Sequence, residues 1–235
     1  GKQIGKHCSR LGVHINFAPV VDINTNPNNP IIGSRAFGSD KHLVIEKSKY
    51  FLKGLQSENM LTSAKHFPGH GDTDQDSHKT LPTVDFPKER IERVELAPYR
   101  ALIDEGLNGV MVAHLNVPTI TLTEGLPSSL SHEVVTSLLK NQLNFQGLIF
   151  SDALSMKGVA DYDEPGEIDL QAFLAGNDVL LMPENVPKAI ELFKKAYESG
   201  RLSEDRLSHS VKKILKAKFK AGLNNFKPIV TDHLI

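Results

Sequence analysis

Five apolar runs rich in β-branched and aromatic residues recur along the chain, at 13–23, 60–67, 109–117, 147–153 and 178–182, each bounded by glycine, proline or polar turn residues. Segments of helical period separate them. Over 41–56, Leu43, Val44, Tyr50, Phe51, Leu52 and Leu55 form one apolar face with charges opposite. Residues 88–105 repeat that pattern, with a kink or short break expected at Pro98. Ser131 reads as the N-cap of a helix running to about Gln142, residues 187–198 form another, and Ser203 opens a long amphipathic helix to Ala221 with acidic residues in its first turn. Near-continuous apolar strands alternating with helices predict a parallel sheet covered on both faces.

The polar residues of interest follow the carboxyl ends of those runs: Asp22 and Asn24, Lys65 and His66, His114 and Asn116, and Asp152. Gathered on one rim, they correspond to the active-site face of an α/β fold of the (β/α)8 TIM-barrel type. A doubly wound open sheet would also place ligands at strand ends, but neither a Gly-x-Gly-x-x-Gly turn nor a phosphate loop is present. A whole barrel has eight strands in roughly 250 residues, and residues 1–11 read as the helix that precedes a strand. About three further strands are therefore expected upstream, making 1–235 the larger, carboxyl-terminal part of one catalytic barrel without its first strands.

Composition narrows the partners. A net charge of −1 over 235 residues gives no basic field for nucleic acid or an anionic membrane. No apolar run approaches the roughly 18 residues of a membrane span. The single cysteine, Cys8, has no internal disulfide partner and reads as a structural thiol.

The chemistry concentrates in 65–78, where three histidines, three aspartates and one lysine occupy fourteen positions directly after an apolar run. Two glycines and a proline make a stiff turn leading into a polar loop, the place where a rigid scaffold presents catalytic groups. Asp76 and His78, two positions apart, can form a pair in which the carboxylate orients an imidazole that gives and takes a proton near neutrality. Spacing alone equally allows a solvated loop pair. Asp152 ends the run at 147–153 and could attack an electrophilic carbon, as in retaining glycoside hydrolysis, or cap the next helix.

Taken in order, the stretches Lys65–Thr73, Asp76-Ser77-His78, Phe17–Asp22, Gly33–Gly38, Val110–His114, Ser128–Ser131, Ser151–Met156 and Ala175–Asp178 resemble glycoside hydrolase family 3, in particular its NagZ-type β-N-acetylglucosaminidases. The resemblance implies that Asp152 is the nucleophile, His78 the general acid/base and Asp76 its dyad partner, and that Arg35, Lys65 and His66 hold hydroxyls of a terminal N-acetylglucosamine. It also implies a carbohydrate partner, muropeptide fragments of bacterial peptidoglycan, and no metal or organic cofactor. The family's Asp-Glu-Gly-Gly-x-Val segment is absent from these 235 residues, a second reason to expect earlier strands.

Three other readings stay open on the sequence. They are a family 3 β-glucosidase, a metal-dependent hydrolase using His66, His70, Asp72, Asp76 and His78, and a carbohydrate-binding barrel without activity. His70 and Asp72 are expected to shape the turn, and Phe17, Phe37, Phe67 and Phe150 to fill the core. Aglycone preference, oligomeric state and compartment (bacterial cytoplasm, periplasm or cell envelope) are not encoded in any local pattern.

Overall fold

The computed structural model describes residues 1–77 and 79–229. Five parallel strands form one sheet in the order of the chain: β1 (Ile15–Asn16), β2 (Leu61–Phe67), β3 (Gly109–Val112), β4 (Leu148–Ala153) and β5 (Val179–Leu181). Each pairs with the next, Ile15 opposite Leu61, Ala64 opposite Val110, Val110 opposite Ile149 and Phe150 opposite Val179. A doubly wound sheet reverses its strand order at a switch point. Here the order never reverses, so the sheet is an arc of a TIM barrel, and that expectation holds.

Helices connect the strands: α1 (Lys2–Arg10), α2 (Lys41–Gln56), α3 (Lys88–Arg93), α4 (Ala97–Asp104), a π-helical segment (Glu133–Gln142), α5 (Lys157–Ala160), α6 (Glu167–Ala175), α7 (Val186–Glu198) and α8 (Glu204–Lys220). Side-chain caps start three of them, Asp40 accepting from the Leu43 amide, Asn185 from Lys188 and Ser203 from Arg206. Ser131 accepts from Val134 N at 3.2 Å, but the segment it opens is wound as a π-helix. The break within 88–105 falls at 94–96, before Pro98, which sits in the first turn of α4 where its missing N–H costs nothing. Helix α6 follows no amphipathic pattern because it is buried on several sides, by Ile168, Leu170, Ala172, Phe173 and Ala175.

Alternation along the strands builds two apolar layers. Ala64, Phe67, Val110, Val112 and Ile149 face outward onto Leu52, Tyr99, Leu102, Val135 and Leu139 of the covering helices. Met111, Leu148 and Phe150 face inward, packed with Phe17, Val179, and Ile214 and Ala217 of α8. Helix α8 lies at the amino ends of the strands, where it borders a cavity of about 460 Å3 with Leu61, Asn108 and Leu148. Buried Asp178 pins it there, accepting from the Ile149 amide at 3.0 Å, from the Ser210 hydroxyl and from Lys213. The opposite, carboxyl ends are left open for ligand.

Among the described residues, no helix is long and apolar enough to cross a membrane.

Candidate active site

The run 13–23 is extended but irregular, because Pro19 breaks the regular ladder. Lys65 N still donates to Pro19 O at 3.2 Å and Val21 N to Lys65 O at 2.8 Å, so Asp22 is delivered to the rim beside the end of β2. Asp22 is 2% exposed. Its carboxylate accepts from the His66 amide at 3.2 and 3.3 Å, from His66 Nδ1 at 2.7 Å and from the His70 amide at 2.7 Å. Burial by itself would raise its pKa; the neighbouring His66 and His70 outweigh that and hold it below the ordinary carboxylate value.

The other nitrogen of His66, Nε2, lies 3.2 Å from Arg35 Nη2. A guanidinium only donates, so Nε2 is the acceptor and the proton resides on Nδ1, facing Asp22. Arg35 comes from a short 3-10 turn (Gly33–Arg35). Lys65, one residue before His66, is pulled below its ordinary pKa by burial and by the positive Arg35, with Asp152 and Asp22 acting in the opposite sense.

Beyond β2 the chain turns through Pro68 to Gly71. A Cβ at Gly71 would lie 2.0 Å from the Ile23 carbonyl oxygen, and Gly69, at φ +142°, would place one 2.8 Å from Glu95 Cβ. Only glycine fits at positions 69 and 71. His70 follows, 2% exposed, with Nδ1 2.6 Å from Thr73 Oγ1 and Nε2 3.1 Å from Ser77 Oγ. Burial lowers its pKa below 6.5. Asn29 supports the same turn: its Nδ2 donates to His70 O at 2.8 Å while its Oδ1 accepts the Ile31 and Ile32 amides. Sequence reasoning missed Asn29 altogether; the asparagine-rich stretch 24–29 was the available signal.

Asp152 is the penultimate residue of β4, with Oδ1 accepting from the Ala153 amide at 2.8 Å. The next helix, α5, begins at Lys157 with Met156 at its cap, so Asp152 is not that helix's cap. Arg35, Lys65, His66, His70, Ser77 and Asp152 all line one cleft of about 370 Å3 at the carboxyl ends of the strands. Asp76 precedes the lining residue Ser77, is half-buried, and its carbonyl accepts from the Lys79 and Thr80 amides at 2.9 and 3.0 Å. His78 lies outside the described residues.

Not every expectation about this rim holds. Phe67 and Phe150 are core residues, but Phe17 also walls the cleft, with Met111, Leu181 and Met182. His114 is buried beneath the rim, Nδ1 2.7 Å from Ser129 Oγ and Nε2 3.0 Å from Ala153 O, a supporting role under the Asp152 strand end. Among the described residues no group of histidine and carboxylate side chains is arranged to hold a metal: Asp72 pairs with Arg90 at 2.9 Å, and both ring nitrogens of His66 and of His70 already face partners.

Residues 1–217 match the glycosyl hydrolase family 3 N terminal domain, a span that includes all five strands. The chain belongs to glycosyl hydrolase family 3. Among its relatives, beta-hexosaminidase A of Pseudoalteromonas piscicida is 34% identical over 92% of this chain and 40% of its own length. Beta-hexosaminidase LpqI of Mycobacterium tuberculosis is 36% identical over 91% of this chain and 56% of its own. The family 3 beta-N-acetylglucosaminidase structure from Paenibacillus sp. str. FPU-7 superimposes with a TM-score of 0.92 at 37% identity, covering 98% of this chain and 44% of that one. The chain spans roughly half the length of the curated relatives it matches.

Proposed function

We propose that this family 3 chain carries the site of a retaining, exo-acting β-N-acetylglucosaminidase. The reading rests on one observation: the Asp152 carboxylate and Ser77, the residue between Asp76 and His78, border the same cleft, whose walls include Arg35, Lys65 and His66. A volume near 370 Å3 suits a single terminal sugar with its linkage toward solvent. Relatives named beta-hexosaminidase support the choice of sugar.

In the first step Asp152 attacks the anomeric carbon while His78, oriented by Asp76, protonates the departing glycosidic oxygen. In the second, His78 takes a proton from water as the water oxygen attacks the anomeric carbon, breaking its bond to Asp152, which leaves as the carboxylate, and restoring the β configuration. Arg35 and Lys65 are charged donors at the wall, able to grip sugar hydroxyls through charge-assisted hydrogen bonds, and the cation at Lys65 steadies the Asp152 carboxylate. Muropeptides ending in β-1,4-linked N-acetylglucosamine are the proposed substrates, which places the protein in bacterial cell-wall turnover.

The test is to trap the intermediate in the intact protein with a 2-deoxy-2-fluoro glycoside or a related slow substrate and map the labelled peptide. Label on Asp152 and a β-configured first product are expected. Label on another side chain, or an α-configured product, would overturn the assignment, and a preference for glucosides over N-acetylglucosaminides would move the chain to a β-glucosidase.

A further inference from the structure

Asp22 takes no part in the two chemical steps above, yet its two buried oxygens accept from the His66 ring, the His66 amide and the His70 amide at the start of the 70–77 loop. We propose that Asp22 is a positioning residue which, by accepting the Nδ1 proton of His66, locks that imidazole in the one tautomer whose Nε2 can accept from Arg35. Its effect on activity rests on the reading given under the proposed function; its effect on the tautomer does not.

The donor and acceptor inventory makes the carboxylate necessary. Arg35 has no acceptor, so its contact at 3.2 Å with His66 Nε2 exists only while that nitrogen is bare. Two backbone amides and one ring N–H converge on Asp22, and all three donate. An acceptor-only group satisfies them together, whereas an amide of the same shape must turn an NH2 toward one of them. At the Oδ2 position, which faces His66 Nδ1 at 2.7 Å, an NH2 would force the ring proton onto Nε2 and set it against the guanidinium. His66 is 5% exposed and bound on both sides, leaving no solvent to compensate. The lowered pKa of Asp22 agrees with a carboxylate that stays ionised in this role.

A purely structural Asp22 would serve the two backbone amides and be indifferent to the ring. The distinguishing experiment is two-bond 1H–15N NMR of the His66 imidazole in the native protein and in Asp22→Asn, at a pH above the imidazole titration, combined with kcat/KM on an aryl N-acetyl-β-glucosaminide. The native spectrum is expected to show His66 protonated on Nδ1 and bare on Nε2, and the variant the reverse. Outer-shell carboxylates that orient metal-binding histidines are worth on the order of 10- to 100-fold in activity, and a fall of similar size in kcat/KM is expected here. Most of that loss should vanish when Asp22→Asn is made in an Arg35→Ala background, because the contact it protects is already gone. A native His66 with its proton on Nε2 overturns the proposal even if Asp22→Asn does not fold. So does an Asn variant that folds with the tautomer unchanged, or one whose loss is undiminished beside Arg35→Ala. Labelling of a residue other than Asp152 by a slow substrate would instead remove the functional reading and leave the tautomer lock standing.

Discussion

The amide of Gly158 donates to the carbonyl of Ser77 at 3.1 Å. Through that bond the first turn after the Asp152 strand touches the loop that follows β2, so the two halves of the cleft are held at a fixed spacing. Each carries one of the two groups, Asp152 and His78, proposed above to approach a sugar from opposite sides.

Substituting Gly158 tests that spacing. A Cβ there would lie 2.7 Å from Thr80 O and 2.8 Å from Ser77 O, both backbone atoms that cannot step aside cheaply. Gly158→Ala is expected to cost about 1–3 kcal/mol in chemical denaturation, as overpacking does, and to lower kcat by moving the loop. Unchanged kcat in a folded variant would separate the loop position from catalysis.

Removing the carboxylate at 152 should stop turnover while leaving the fold intact, since the hydrogen bond described for it is one local backbone contact. Loss of the nucleophile from a constellation of this type costs about 10^4-fold or more in kcat. Asp152→Ala with near-native hydrolysis of an aryl N-acetyl-β-glucosaminide would exclude it.

His78 is tested by its leaving groups. His78→Ala should spare glycosides with an activated phenol and penalise those with a poor leaving group, because only the latter need a proton in the transition state. An equal loss on both would remove the acid role. Asp76→Ala should slow both classes without abolishing the trapped intermediate.

His70 gives a pH signature of stability. Its folded pKa is below the ordinary 6.5, so below pH 6.5 the unfolded chain binds a proton that the folded chain refuses. Stability from this group is therefore whole above 6.5 and falls as the pH drops through the window beneath it. Denaturation midpoints followed downward from pH 7.5 should drop more steeply in the native protein than in His70→Gln; parallel slopes would contradict it.

At the other end of the sheet, Asp178→Ala strands the half-buried ammonium of Lys213 and frees the Ile149 amide. Breaking a buried pair on one side typically costs about 3–5 kcal/mol. Urea denaturation should show a loss of that size, with kcat of the remaining folded protein near native because the cleft lies at the opposite strand ends. A fall in kcat in the folded variant would mean that the amino-end anchor shapes the cleft.

What the sequence by itself determined is the repeating frame. Apolar strands alternating with amphipathic helices dictate a parallel arc, and the limits of α2, the Ser203 cap of α8 and the placement of Lys65, His66 and Asp152 at strand ends all follow from local pattern. Only the tertiary structure decided which polar groups serve each other. The Asp22 contacts with His66 and His70 span more than forty residues, Asn29 reaches His70, and Gly158 reaches Ser77. A hydrogen bond needs two groups within about 3 Å, and for partners this distant in sequence that approach is set by the curvature of the sheet and the helices packed on it. The same holds for α6, whose burial on several sides erases the amphipathic period by which a surface helix announces itself.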